Sequence, residues 1–298
     1  MKKFELEGVI PAMLTPFTKG GKTVDYDRAV SLASRLAQQG VHGVFLCGTT
    51  GEGLLMTLEE RKKLLETILK SAGERIKVIA HTGCLDLSST CQLTEHAASI
   101  GAYAAGVVAP GFYSYDENAL WNYYKAVAEA VPGFPVLLYN LPSCAKNVLS
   151  PALVAKLANE IENIVGIKDS GGVLQAQNQM IIETRDDFVV INGCDEFTFH
   201  ALMGGARGSV SSTANVIPEV FLSIFNAVKK GDFKKALQHQ KLLTRATRVF
   251  HYGAMVAYYK EGLRLRGFEA GSVRPPQREL TTTEKKEFKR QLDELGLL

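Results

Sequence analysis

The sequence predicts an α/β protein, a (β/α)8 TIM barrel with a C-terminal helical extension. Three observations predict it. Eight short apolar runs without polar alternation are spread over residues 8–211, as parallel strands covered on both faces require. Stretches of helical period with their own start signals separate most of them. The chain has 298 residues, 46% of them hydrophobic, enough for one large barrel core. A doubly wound open sheet is the competing architecture, but no G-x-G-x-x-G follows the first strand.

Taken in order, the run at 8–15 precedes a helical stretch at 25–39, and 43–47 precedes 57–71. The second helix opens on Thr57-Leu58-Glu59-Glu60, a capping box in which hydroxyl and carboxylate each satisfy a free N–H of the first turn. The pairs 77–81 with 88–100 and 106–109 with 116–130 continue the rhythm. The run 135–139 leads to a helix at 150–159, where Ser150-Pro151 supplies a cap and a pre-set φ. Then come 164–168 with a helix at 173–184, and finally strands at 188–191 and 208–211. Beyond about residue 228 the strand signal stops. Leu242, Leu243, Ala246, Val249 and Phe250 follow helical spacing, Pro275-Pro276 interrupts, and Thr281-Thr282-Thr283-Glu284 caps a last helix to about Glu294. Residues 1–228 read as the barrel and 229–298 as a helical appendage packed on it, one structural unit without a linker-like stretch.

Bulk properties exclude several functions. A net charge of +3 with no dense basic tract argues against nucleic acid. No window approaches a membrane span, and Glu5, Glu7 and Pro11 interrupt any leader-like apolar segment. Five cysteines (47, 84, 91, 144 and 194) lack C-x-x-C spacing, which suits reduced thiols in a cytoplasmic protein. The six histidines are scattered, so no metal-ligand set is expected.

Chemistry in such barrels sits at the C-terminal ends of the strands. There the sequence places Gly48-Thr49-Thr50-Gly51-Glu52-Gly53 after the second strand, whose glycines, N–H groups and hydroxyls suit a carboxylate. No Lys follows it as a P-loop requires. Tyr139 closes the fifth strand and Lys168 the sixth; Asn192-Gly193-Cys194-Asp195-Glu196 follow the seventh and Ser211-Ser212-Thr213 the eighth. An amine beside a phenol suffices for imine chemistry, whereas a lysine at a strand end is more often a solvated end or an ion-pair partner.

Gly48-Thr49-Thr50-Gly51-Glu52, Tyr139-Asn140-Leu141-Pro142 and Gly166-Ile167-Lys168-Asp169 together resemble the dihydrodipicolinate synthase / N-acetylneuraminate lyase family of pyruvate-dependent lyases, a likeness running essentially end to end. The resemblance implies Lys168 as the imine-forming nucleophile and Tyr139 as the proton shuttle. It implies Thr49 and Thr50 as carboxylate binders, with Val210 beside pyruvate. Neither metal nor organic cofactor is implied, and a homotetramer, a dimer of dimers, is. Two departures stand out. Cys144 occupies the place of the arginine with which dihydrodipicolinate synthases grip the second substrate's carboxylate, and a thiol cannot form that bidentate pair. The family's second tyrosine, contributed across a subunit interface in many members, falls on Phe112, so either Tyr113 takes the role after a one-residue shift or the relay is lost. Toward the lyase branch, Asp195, Glu196 and Ser212 resemble groups that bind sugar hydroxyls; capping and core hydrogen bonding are the alternative uses. The leading expectation is therefore a Schiff-base lyase or aldolase of a 2-oxo acid, such as N-acetylneuraminate or a 2-keto-3-deoxy acid. The alternative is 4-hydroxy-tetrahydrodipicolinate synthase, and from other classes a non-catalytic acid-binding barrel or a metal-dependent hydrolase.

Overall fold

The computed structural model describes residues 4–253 and 255–298. In chain order the elements are β1 (Gly8–Pro11), α1 (Tyr26–Gln38), β2 (Gly43–Leu46), α2 (Leu58–Ala72), β3 (Lys77–His81), α3 (Leu87–Ser99), β4 (Ala104–Val108) and α4 (Glu117–Ala130). There follow β5 (Val136–Asn140), the single turn α5 (Pro142–Ala145), α6 (Pro151–Glu160), β6 (Ile164–Asp169), α7 (Leu174–Glu183), β7 (Val189–Asn192), α8 (Thr198–Met203), β8 (Gly208–Ser211) and α9 (Pro218–Lys229). The helices α10 (Phe233–Val249), α11 (Val256–Leu265) and α12 (Thr282–Glu294) complete the chain. Eight parallel strands pair in the order β1-β8-β7-β6-β5-β4-β3-β2. The seam between β1 and β2 closes through an Ala12–Phe45 bridge and the Met13 N–H donating to the Phe45 carbonyl at 3.0 Å. This is the (β/α)8 barrel that the strand rhythm predicts.

Helix starts follow their caps. Asp25, Asp86, Asp116, Ser150 and Asp232 each accept an N–H three residues on, and Thr57 and Thr281 form full capping boxes. Strand side chains alternate between two environments. Ile10, Phe45, Leu137, Tyr139, Ile191 and Val210 fill the barrel interior. Val9, Val44, Leu46, Leu138, Ile167 and Val190 pack outward under the helices. A register shift at Val136/Leu137 sets Gly166 opposite Leu137 and Lys168 opposite Tyr139. That irregularity turns Lys168, not Ile167, to the same side as Tyr139.

Two strands differ from expectation by more than one residue at an end. The first ends at Pro11 rather than Thr15, because the chain leaves the sheet toward Pro16 after the single bridge at Ala12. The fourth begins at Ala104 rather than Gly106; two alanines give no β-branched signal. No helix of the described residues is long and apolar enough to cross a membrane.

Candidate active site

The C-terminal ends of the strands open on a cleft of about 300 Å³. Its walls include Thr49, Thr50, Tyr139, Lys168, Asp195, Glu196, Val210 and Ser212. Eight of the nine residues singled out from the sequence therefore meet in one place.

Lys168 is buried, and its Nζ lies 4.0 Å from the Tyr139 ring centroid and 4.5 Å from that of Phe45. Tyr139 in turn meets Phe45 and His81 edge-on, with centroids 5.7 and 5.8 Å away. The aromatic floor exists because position 106 has no side chain: a Cβ there would lie 2.4 Å from Phe45 Cε2. The adjacent Asp169 is occupied elsewhere, accepting from Asn140 Nδ2 at 2.8 Å, from the Gly171 N–H at 3.0 Å and from Gln177 Nε2 at 3.3 Å. Below this floor, burial first, then the charges of Arg61 and Lys168, hold His81 well below the usual imidazole range. The ring is therefore neutral, and its Nδ1–H donates to the Cys47 carbonyl at 3.0 Å.

The loop after β2 is tightly specified. Cys47 and Glu52 hold left-handed backbone at φ 58° and 56°, a conformation costing about 1–2 kcal/mol per residue outside glycine. It persists because its surroundings over-determine it. Thr15 Oγ1 donates to the Gly51 carbonyl at 2.6 Å, and the Gly53 N–H to the Gly48 carbonyl at 3.1 Å. Added Cβ atoms at Gly51 and Gly53 would lie 2.9 Å from the Met13 carbonyl oxygen and 1.8 Å from that of Cys47. Thr50 Oγ1 hydrogen-bonds Ser212 Oγ at 2.5 Å, tying this loop to the end of β8, while Thr49 stands exposed in the cleft.

On the opposite wall, Asn192 exchanges hydrogen bonds with the Cys194 N–H and carbonyl, and Gly193 passes against Ser170. Gln240 of α10 donates to the carbonyls of Asp195 and Glu196. Asp195 is only partly covered as a residue, yet its carboxyl is buried. Burial raises its pKa; the Thr213 and Ser211 hydroxyls and the Lys168 charge act against that rise, and Glu196 adds to it. Burial, with Asp169 and Asp195 adding to it, pushes the Cys194 thiol up to about 12, so it stays protonated.

Tyr113 is the exception. It is 65% exposed beside Phe112, which has φ 72°, and does not line the cleft of its own chain. Asn147 fixes this loop, donating to the Pro110 and Tyr113 carbonyls and accepting the Tyr115 N–H. Cys144 lies exposed in the cleft wall.

Sequence reasoning missed the part of the wall built by the appendage: Thr247, Tyr252, Gly253, Val256 and Tyr259. Tyr259 is buried and stacked on Phe250 at 5.0 Å. Burial first, then the charge of Asp195, raises its phenol pKa, and the Thr213 and Ser212 hydroxyls oppose that rise. No local pattern marks these residues, because they reach the cleft only through the packing of α10 and α11.

The model of the dihydrodipicolinate synthetase family matches residues 5–295. The 4-hydroxy-tetrahydrodipicolinate synthase of Methanopyrus kandleri is 36% identical over 99% of this chain and 98% of its own. Among solved structures, a dihydrodipicolinate synthase from Bacillus anthracis superposes with a TM-score of 0.93 at 33% identity, covering 97% of this chain and 98% of that one. YagE from E. coli K12, a prophage protein of the dihydrodipicolinic acid synthase family solved with pyruvate, gives 0.94 at 31% identity, covering 98% and 99%.

Proposed function

The chain belongs to the dihydrodipicolinate synthetase family of pyruvate-dependent lyases and synthases, and on that premise we propose that Lys168 forms an imine with pyruvate and Tyr139 carries the protons. The observation that carries this is the register pair itself: Lys168 Nζ sits 4.0 Å from the Tyr139 ring, facing the Gly48–Gly53 loop across one cleft. The Lys168 lone pair attacks C2 of the 2-oxo acid. The carbonyl oxygen takes up protons and departs as water, leaving a protonated C=N. Loss of a C3 proton gives the enamine, and C3 then adds to the aldehyde carbon of an acceptor, whose oxygen is protonated by way of Tyr139. Water finally cleaves the imine. The reverse sequence breaks the same carbon–carbon bond. Thr49, Thr50 and the loop N–H groups hold the pyruvate carboxylate, with Val210 packed beside it.

For the acceptor, the relatives' names favour 4-hydroxy-tetrahydrodipicolinate synthase, with aspartate semialdehyde, over the sugar-acid cleavage that the sequence put first. One observation supports the second reading. Cys144 offers no charge to an acceptor carboxylate, while Asp195, Glu196 and Ser212 offer hydroxyl partners on the cleft wall. Borohydride with pyruvate is expected to add a stable mass at Lys168, abolished in Lys168→Ala; no adduct at saturating pyruvate overturns the proposal. Condensation with aspartate semialdehyde against pyruvate release from N-acetylneuraminate or 2-keto-3-deoxy acids then separates the two readings.

We further read the protein as a cytoplasmic homotetramer with Phe112–Tyr115 at a dimer contact. The exposure of Phe112 and Tyr113, 75% and 65%, supports that contact. A monomeric mass by light scattering would refute it.

A further inference from the structure

We infer that Lys260, on the appendage helix α11, is the positioning residue that sets the carboxylate-binding loop after β2. The inference rests on the pyruvate reading of the cleft. Lys260 is buried, and its ammonium lies 2.8 Å from Oε1 of Glu52, whose side chain is fully covered. The same ammonium donates to the Thr15 carbonyl at 2.9 Å and the Ser272 carbonyl at 2.5 Å. The ammonium thus donates to two backbone carbonyls and pairs by charge with one carboxylate oxygen.

Two of those acceptors govern the loop. Glu52 is the loop residue held left-handed at φ 56°, and its second carboxylate oxygen accepts the Arg274 N–H at 2.8 Å. Thr15, held through its carbonyl by Lys260, donates its hydroxyl to the Gly51 carbonyl at 2.6 Å. Lys260 therefore fixes the loop from the side chain of Glu52 and from the backbone beside Gly51. Both anchors lie next to the N–H groups and hydroxyls that face the cleft, and neither reaches the cleft itself. The neighbouring Val256 and Tyr259 of the same helix do line it, so one helix sets both the loop and the opposite boundary of the space.

Replacing both members of a buried ion pair by apolar groups of similar volume is often neutral for stability, whereas removing one alone leaves an uncompensated buried charge, here that of Glu52. What the pair supplies is geometry: without the ammonium, the Glu52 carboxylate loses the cation at Oε1 and its left-handed residue is held through Oε2 alone, by the Arg274 N–H. The loop then relaxes, and the carboxylate of a bound 2-oxo acid loses its donors. Lys168, Tyr139 and Phe45 stand on other strands or ahead of the loop and keep their places. Substrate holding should suffer while the chemical step does not.

The test titrates parent, Lys260→Met and Lys260→Arg with pyruvate, reading turnover and the borohydride adduct at Lys168 together, with melting temperature alongside. For Lys260→Met the half-saturating pyruvate concentration is expected to rise about tenfold or more, with kcat and the adduct at saturation within about twofold, as loss of uniform binding dictates. Lys260→Arg keeps the buried cation but presents a planar fork in place of three tetrahedral donors, so it should fold and show a smaller rise, about threefold. Should Lys260→Met fail to fold, Lys260→Arg decides alone. Half-saturation unchanged in a folded variant overturns the inference, as does a fall in kcat without that rise. A parent that forms no adduct removes the pyruvate reading instead, and this inference with it.

Discussion

Tyr139→Phe removes one oxygen and nothing else from the cleft. The ring is 3% exposed and is wedged edge-on against Phe45 at 5.7 Å and His81 at 5.8 Å, contacts that phenylalanine keeps. Its face still lies 4.0 Å from Lys168 Nζ. The change in stability should therefore stay within about 1 kcal/mol, a shift of about 2–4 °C in melting temperature. The chemical effect is far larger. Removing a positioned acid–base group costs about 10²–10⁴-fold, or about 2.7–5.4 kcal/mol of barrier at about 1.36 kcal/mol per decade. Pyruvate consumption with the acceptor measures the loss, and borohydride trapping shows that Lys168 still accumulates adduct, more slowly. Turnover within about tenfold of the parent in a normally folded variant would refute the assignment of proton transfer to Tyr139.

Three further perturbations test other parts of the site. In Gly53→Ala the new Cβ would meet the Cys47 carbonyl oxygen at 1.8 Å, so the loop must move; half-saturating pyruvate should rise about tenfold or more, and an unchanged value would mean that the loop does not hold the substrate. Asp195 has a raised pKa through burial, so its contribution to stability is full below the ordinary carboxyl value of 3.8 and is lost as pH rises through the folded one. Asp195→Asn should accordingly melt higher than the parent near neutral pH, with the gap closing toward about pH 3.5, and a gap independent of pH counts against a buried carboxyl. Cys144→Arg places a bidentate cation in the cleft wall and should raise kcat/KM for a carboxylate-bearing aldehyde by about 10–100-fold, matching a charged hydrogen bond of about 1.5–3 kcal/mol; no gain would show that this wall does not face the acceptor.

Much of the fold was legible in the residues because barrel strands and their helices carry local signals. The capping boxes at Thr57 and Thr281 start α2 and α12 where expected. The runs 77–81 and 208–211 are strands to the residue, bounded where β-branched stretches give way to polar turns. Elsewhere the signal was too short. The six-residue helix α8 and the helix α9 follow no side-chain cap, and Pro218 at the start of α9 reads as a breaker as readily as a first-turn residue. Tyr113 shows the complementary limit: the role expected of it is played across a subunit interface, and within one chain Asn147 holds its loop facing outward.

The groups proposed to carry the chemistry were legible in the sequence alone, since Lys168, Tyr139 and the Gly48–Gly53 loop stand at predicted strand ends. How those groups stand together was decided by tertiary structure. The shift at Val136/Leu137 brings Lys168 level with Tyr139, and the missing side chain at Gly106 makes room for the ring of Phe45 beneath them. The buried Lys260–Glu52 pair joins residues from opposite ends of the chain. A pattern of neighbours along the chain reports periodicity and turns; contacts between an appendage helix and a loop far before it are set only when the barrel closes and the appendage packs against it.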